Sequence, residues 1–182
     1  MRKLKTFLFM CCILAILSSC STSIPMLKQE YNTSKSAVSK FDYDTTWSKV
    51  IDFFAENSIP ITLIDKSSGI ITASNVSVGE TLVTHEDKNG EILNPNAWFV
   101  MPYVKGCLGN QAICGFNVRV TPVQNENDKV TVTVNLSYTS GEYIVEFRDP
   151  MTFRKSRMTV KSKLPCVSTG KFESDLLSLF TN

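Results

Sequence analysis

Histidine is almost missing from this 182-residue sequence: only His85 occurs, and none of the six cysteines falls in a Cys-x-x-Cys spacing. A zinc centre draws three or four ligands from such residues, so no metal is expected. Nor is there a phosphate loop, a nucleophile elbow or a dinucleotide fingerprint, so no cofactor is expected either. Charge of one sign is also lacking, with 19 Lys+Arg against 17 Asp+Glu. Three of the cations, Arg2, Lys3 and Lys5, cluster at the very start, and without them the balance is 16 against 17. Generic nucleic-acid binding through a basic surface loses its support. The apolar run Phe7 to Leu17 is 11 residues long, short of the ~20 needed to span a bilayer. With 8 Gly, 7 Pro and 43% hydrophobic residues, collagen, coiled-coil and wholly disordered readings drop out, leaving one ordinary domain plus its ends.

What is there begins with an address. Met1-Arg2-Lys3-Leu4-Lys5 is a basic n-region and Phe7–Leu17 an uncharged h-region of secretory length. Leu17-Ser18-Ser19-Cys20 follows at once. It resembles the lipobox of bacterial lipoproteins: Leu, two small residues, then a cysteine. The resemblance implies a signal peptide over 1–19 and a diacylglycerol thioether on Cys20, the first mature residue. Each buried methylene is worth ~0.8 kcal/mol and one acyl chain holds only marginally, so two or three chains give lasting attachment without a transmembrane helix. Ser21 stands where Asp would mark retention in the inner membrane. By the same resemblance the outer membrane is expected, on its periplasmic side. No acidic run follows Cys20, and exposure at the cell surface stays open.

Residues 20–40 are rich in Ser, Thr and Lys with few large apolar side chains, so they are expected to form a flexible tether of up to ~65 Å. Residues 41–182 should form one folded domain. Asp44 is a plausible N-cap for a helix whose apolar positions Trp47, Val50, Ile51 and Phe54 recur at helical spacing, ending near Asn57 before Pro60. Ile59, Ile61 and Leu63 then alternate with polar or turn residues, and Lys66–Gly69 turns the chain into a β-rich run, Ile70 to Val78. Phe116, Val118 and Val120, and then Val130 to Tyr138, alternate strictly about the polar turn Gln124–Asp128, as an antiparallel pair with one face on the core. Tyr143–Phe147 and Met158–Val160 extend the sheet. Ser168-Thr169-Gly170 opens a last amphipathic helix carrying Phe172, Leu176, Leu177 and Phe180, with Glu173 in its first turn. These elements predict an α+β, two-layer domain: a curved antiparallel sheet with two amphipathic helices on one face.

Trp47, Val50, Phe54, Ile61, Asp65, Gly69 and Ile71 have a spacing that resembles the helix-grip domains of the C lipoprotein of the outer-membrane β-barrel assembly machinery. One such unit fits the chain, and the segment Gly79–Gly115, with its own Pro and Cys, departs from the pattern. The resemblance implies a non-catalytic scaffold that binds protein or another envelope component.

Several residue groups could carry chemistry. In an oxidising envelope a disulfide is reasonable, and Cys107 and Cys114 are the nearest pair, with Cys166 as a rival partner for either. From Arg148 to Lys171 the cations Arg148, Arg154, Lys155, Arg157, Lys161, Lys163 and Lys171 face Asp149 alone, an excess of +6. That patch suits an anionic glycolipid or acidic partner; a charged edge strand that resists aggregation is the plainer reading. His85-Glu86-Asp87 invites acid–base chemistry, but Asn89-Gly90 reads as the tip of an exposed hairpin. Trp98, Phe99, Met101 and Tyr103 read as a core strand before a binding platform.

The expected task is therefore non-enzymatic: a lipid-anchored outer-membrane lipoprotein that binds or scaffolds an envelope protein or anionic glycolipid, with no nucleic-acid partner. Two alternatives stand beside it. One is an envelope glycan or peptidoglycan hydrolase using carboxylates between Glu80 and Glu91. The other is a surface-exposed ligand- or host-binding lipoprotein using Trp98 and its aromatic neighbours.

Overall fold

The computed structural model describes residues 26–31, 33–105, 107–123, 129–148 and 155–181. The first helix, α1 (Tyr43–Glu56), is capped by Asp42, not Asp44: the Asp42 carboxylate accepts hydrogen bonds from Thr45 N–H at 2.9 Å and from the Thr45 hydroxyl at 2.8 Å. It buries Trp47, Val50, Phe53 and Phe54. Asn57 closes it by donating from its side chain to the Phe53 carbonyl.

Next comes the hairpin of β2 (Leu63–Asp65) and β3 (Ile70–Val78). The Asp65 carboxylate accepts from the backbone or hydroxyl groups of Ser67 and Ser68, which hold its pKa down at about 2. Gly69 sits in the left-handed region at φ +69°, and a Cβ there would lie 1.9 Å from the Val120 carbonyl oxygen. The turn thus needs glycine twice over, for its torsion and for the close approach of a neighbouring strand. Leu63 and Ile64 are exposed on this outer strand, so the alternation from Ile59 buries Ile59, packs Ile61 partly against the core and leaves Leu63 outside.

Two long strands, β6 (Cys107–Pro122) and β7 (Val130–Arg148), form the backbone of the main sheet. With β1 (Ser36–Ser39) its order is β1-β7-β6-β3-β2, and β8 (Lys155–Leu164) pairs with β7 farther along the edge that β1 occupies. All these pairings are antiparallel. Asn75, at φ +56°, lies where a bulge interrupts the β3–β6 register between Ala73 and Val76, a place where Asn tolerates the left-handed torsion.

A second, small sheet joins β4 (Val83–His85), β5 (Phe99–Met101) and β9 (Val167–Ser168), with β4 and β5 parallel. The last helix, α2 (Lys171–Thr181), packs beside α1. The centre of the core is aromatic: the Phe116 ring of β6 lies 4.7 Å from Phe172 of α2, 6.4 Å from Phe54 of α1 and 6.1 Å from both Trp98 and Phe99. Both helices and the small sheet therefore meet one face of the main sheet. The domain is α+β and two-layered, as the patterning predicts, with the small sheet as an addition that short strands hide from sequence.

Candidate functional site

The N-terminal segment is not a free tether along its whole length. β1 pairs with β7 from Ser36↔Thr133 to Ser39↔Val130. Farther upstream, residues 28–31 are held by one side chain, Glu86, which is completely buried. Its position follows from β4: after His85 the chain bonds Glu86 N–H to the Met101 carbonyl and pairs Glu86 with Ile92, while Asp87–Glu91 makes the tight turn that Asn89-Gly90 foretells. Asp87 spends its carboxylate inside that turn, accepting from the N–H groups of Glu91 and Asn89, which lowers its pKa.

Glu86 instead points at the N-terminal segment. Its Oε2 accepts from Lys28 N–H at 2.8 Å; its Oε1 accepts from Gln29 N–H at 3.2 Å and from the Tyr31 hydroxyl at 3.0 Å. Burial, the hydrogen bond and the Glu86 charge together push the Tyr31 hydroxyl far above its usual pKa. Bonds to a charged acceptor are the strong class, and three of them satisfy a carboxylate that would otherwise be costly to bury. The Lys28 ammonium adds a bond to the Lys88 carbonyl.

Docked this way, the segment lines two cavities. One, of about 640 Å³, lies between Thr33–Ala37 and α2, with Ile92, Lys171, Leu177 and Ser178 in its wall. Lys171 there pairs with Asp175 one turn on. Gly170, at φ +88°, opens α2, and a Cβ on it would come within 2.0 Å of the Thr33 side chain. A second cavity, of about 470 Å³, is lined by Leu27, Tyr31, Leu136 and Glu173 among others. The first offers hydroxyl groups beside an apolar wall, a surface suited to an extended or amphipathic ligand.

No protein-family model matches the chain, and no curated protein is significantly similar to it. The fold and the site therefore carry the functional argument themselves.

The remaining predicted site residues are scattered. Cys20 and the signal segment lie outside the described residues, as do Arg154 and the Gln124–Asp128 turn. Cys107 and Cys114 share one strand, β6. Seven steps of extended chain separate their Cα atoms by about 20 Å, against the roughly 4.4–6.8 Å a disulfide needs; this pairing is corrected. Cys114 and Cys166 are buried, and this structure holds both in the reduced, thiol form.

In the basic stretch, Arg148 stands opposite Lys155, Arg157 opposite Glu146 and Lys161 opposite Glu142, with Lys163 farther along β8. Glu142 and Glu146 of β7 thus hold register positions opposite two of the cations of β8. The cations lie on or beside β8, an outer strand of the main sheet.

Trp98, Phe99 and Met101 are buried in the core while Tyr103 is exposed, so the aromatic stretch offers one exposed ring and not a continuous platform. His85 is half-buried, and burial lowers its pKa. Among the described residues no three His, Cys, Asp or Glu side chains gather to hold a metal ion. The residues that sequence reasoning missed are Glu86 as an anchor and Lys28–Tyr31 as its docked partner. Leu27 and Tyr31, two large side chains in a Ser/Thr-rich stretch, were the available signal.

Proposed function

We propose that this chain is a lipid-anchored lipoprotein of the outer membrane, facing the periplasm, whose α+β body binds another envelope component without transforming it. Two lines support the reading. The first is the ordered succession of basic start, apolar run, small residues and Cys20. The second, which carries the binding part, is the docking of residues 28–31 on Glu86.

The eight steps from Cys20 to Lys28 extend at most about 28 Å, so an anchor at Cys20 would keep the body close to the headgroups. The cavity between β1 and α2 opens beside that docked segment. An envelope protein segment, or the acyl and sugar parts of an anionic glycolipid, meets its mix of hydroxyl and apolar lining. Hydrolysis has less support, because Glu86 and Asp87 spend their carboxylates on N–H and hydroxyl donors of the chain.

Site-specific photocrosslinking in intact cells tests the proposal. A photoreactive residue at Ser178, in the cavity wall, should trap one reproducible envelope component. The same residue at Leu63, on the opposite outer strand β2, should not. Equal adducts from both positions, or none from Ser178, would contradict a binding role for the cavity. Release of soluble fragments from purified peptidoglycan would contradict the non-enzymatic part.

A further inference from the structure

Ala112 and Leu164 flank Gly141: β6 pairs Ala112 with it on one side and β8 pairs Leu164 with it on the other. Strands β6 and β8 therefore run in the same direction, two sheet spacings or about 10 Å apart. Two residues onward from Ala112 is Cys114, and two residues onward from Leu164 is Cys166. All four side chains are buried in one core cluster.

The chain does not keep that 10 Å spacing. Immediately after Cys166, Val167 pairs with Val100 of the small sheet. That sheet sits over β6, because the neighbouring Phe99 ring lies 6.1 Å from Phe116, two residues beyond Cys114. The three steps from Leu164 to Val167 thus cross β7 from the β8 side to the β6 side, on the core face. Cys166 is carried toward Cys114.

We infer that Cys114 and Cys166 form a disulfide in the protein of the envelope. The inference rests on the envelope location proposed above, because a reducing compartment would keep both thiols. In balance, two S–H bonds break and one S–S bond forms. Two protons leave, and the electron pair reduces a disulfide oxidant, protein or small molecule, to two thiols. One cysteine attacks the oxidant to give a mixed disulfide, and the other then displaces the oxidant's second thiolate. Burial pushes Cys166 up to about 12 and Cys114 higher, with a Cys166 thiolate adding to the shift at Cys114. Neither thiol is reactive once the core has closed, so the bond forms during folding.

The test takes protein from membranes, alkylates free thiols under denaturing conditions, and maps unreduced peptides by mass spectrometry. A peptide linked through Cys114 and Cys166, with Cys107 alkylated, is expected. Alkylation of both Cys114 and Cys166, or a bridge from Cys107 to either, in protein recovered from membranes overturns the inference. Should the protein prove soluble and fully reduced, the location has failed; refolding the reduced chain in a glutathione redox buffer then decides the pairing. A 114–166 bond formed there upholds the geometry, and any other result overturns it. The variant Cys107→Ser should leave the linked peptide at wild-type yield in either arm.

Discussion

Replacing Glu86 by Gln should undock the N-terminal segment without unfolding the domain. The carboxylate accepts three hydrogen bonds, one at Oε2 and two at Oε1. An amide keeps one acceptor oxygen. Oriented to serve Gln29 and Tyr31, it turns its own N–H toward Lys28 N–H, leaving a buried donor unpaired at about 1–3 kcal/mol. The two surviving bonds also lose their charge assistance, so about 2–4 kcal/mol is the expected penalty. The segment can escape part of it by peeling off and hydrating, which makes the loss local. Even 2 kcal/mol means about 30-fold faster opening. Hydrogen–deuterium exchange of the peptide covering 26–35 should accelerate by at least that factor, while amides of β6 and β7 keep wild-type rates. Tyr31→Phe, which removes one donor, should give a smaller effect, about 5–10-fold, from a loss of about 1–1.4 kcal/mol. Unchanged exchange at 28–31 in Glu86→Gln would refute the reasoning, and so would uniform acceleration across the sheet.

Other outcomes follow from the same contacts. Gly69→Ala combines a left-handed torsion with a Cβ at 1.9 Å from the Val120 carbonyl oxygen; it should cost more than about 2 kcal/mol and lower the thermal midpoint by about 5 °C or more. Phe172→Ala removes the ring packed 4.7 Å from Phe116 and should cost about 3–5 kcal/mol in urea unfolding. Acid should loosen the β2–β3 turn. The pKa of Asp65 is lowered from 3.8 to about 2 in the fold, so its contribution is present above pH 3.8 and lost as the pH falls toward 2. Asp65→Asn should show a shallower stability loss across that window than the wild type.

Helix α1 was legible because Trp47, Val50 and Phe54 repeat at a helical period against one sheet face, and the α+β layering followed from such stripes. The sequence does not separate Asp42 from Asp44 as its cap, since the two look alike until Thr45 is seen donating to the first. The alternation marks β6 only from Phe116 onward. Its earlier half, with Gly109, Asn110 and Gln111, breaks the alternation, and its extension comes from pairing with β7. The small sheet stayed hidden because β4 and β5 have three residues each, and Phe99, Val100 and Met101 are all buried, leaving no alternation to see. Residues 33–40 looked like linker by composition, yet strand pairing of β1 needs backbone groups and not large side chains. Glu86 could not be singled out from His85 and Asp87, because its partners lie 55 to 58 residues away.

The most direct measurement is fractionation of cells expressing the wild-type chain and Cys20→Ser. Wild-type protein should pellet with outer membranes and carry acyl mass on Cys20. The variant should lose that mass and its tight, detergent-requiring attachment. Membrane attachment unchanged in Cys20→Ser, or a wild-type chain with an unmodified Cys20, would contradict the account.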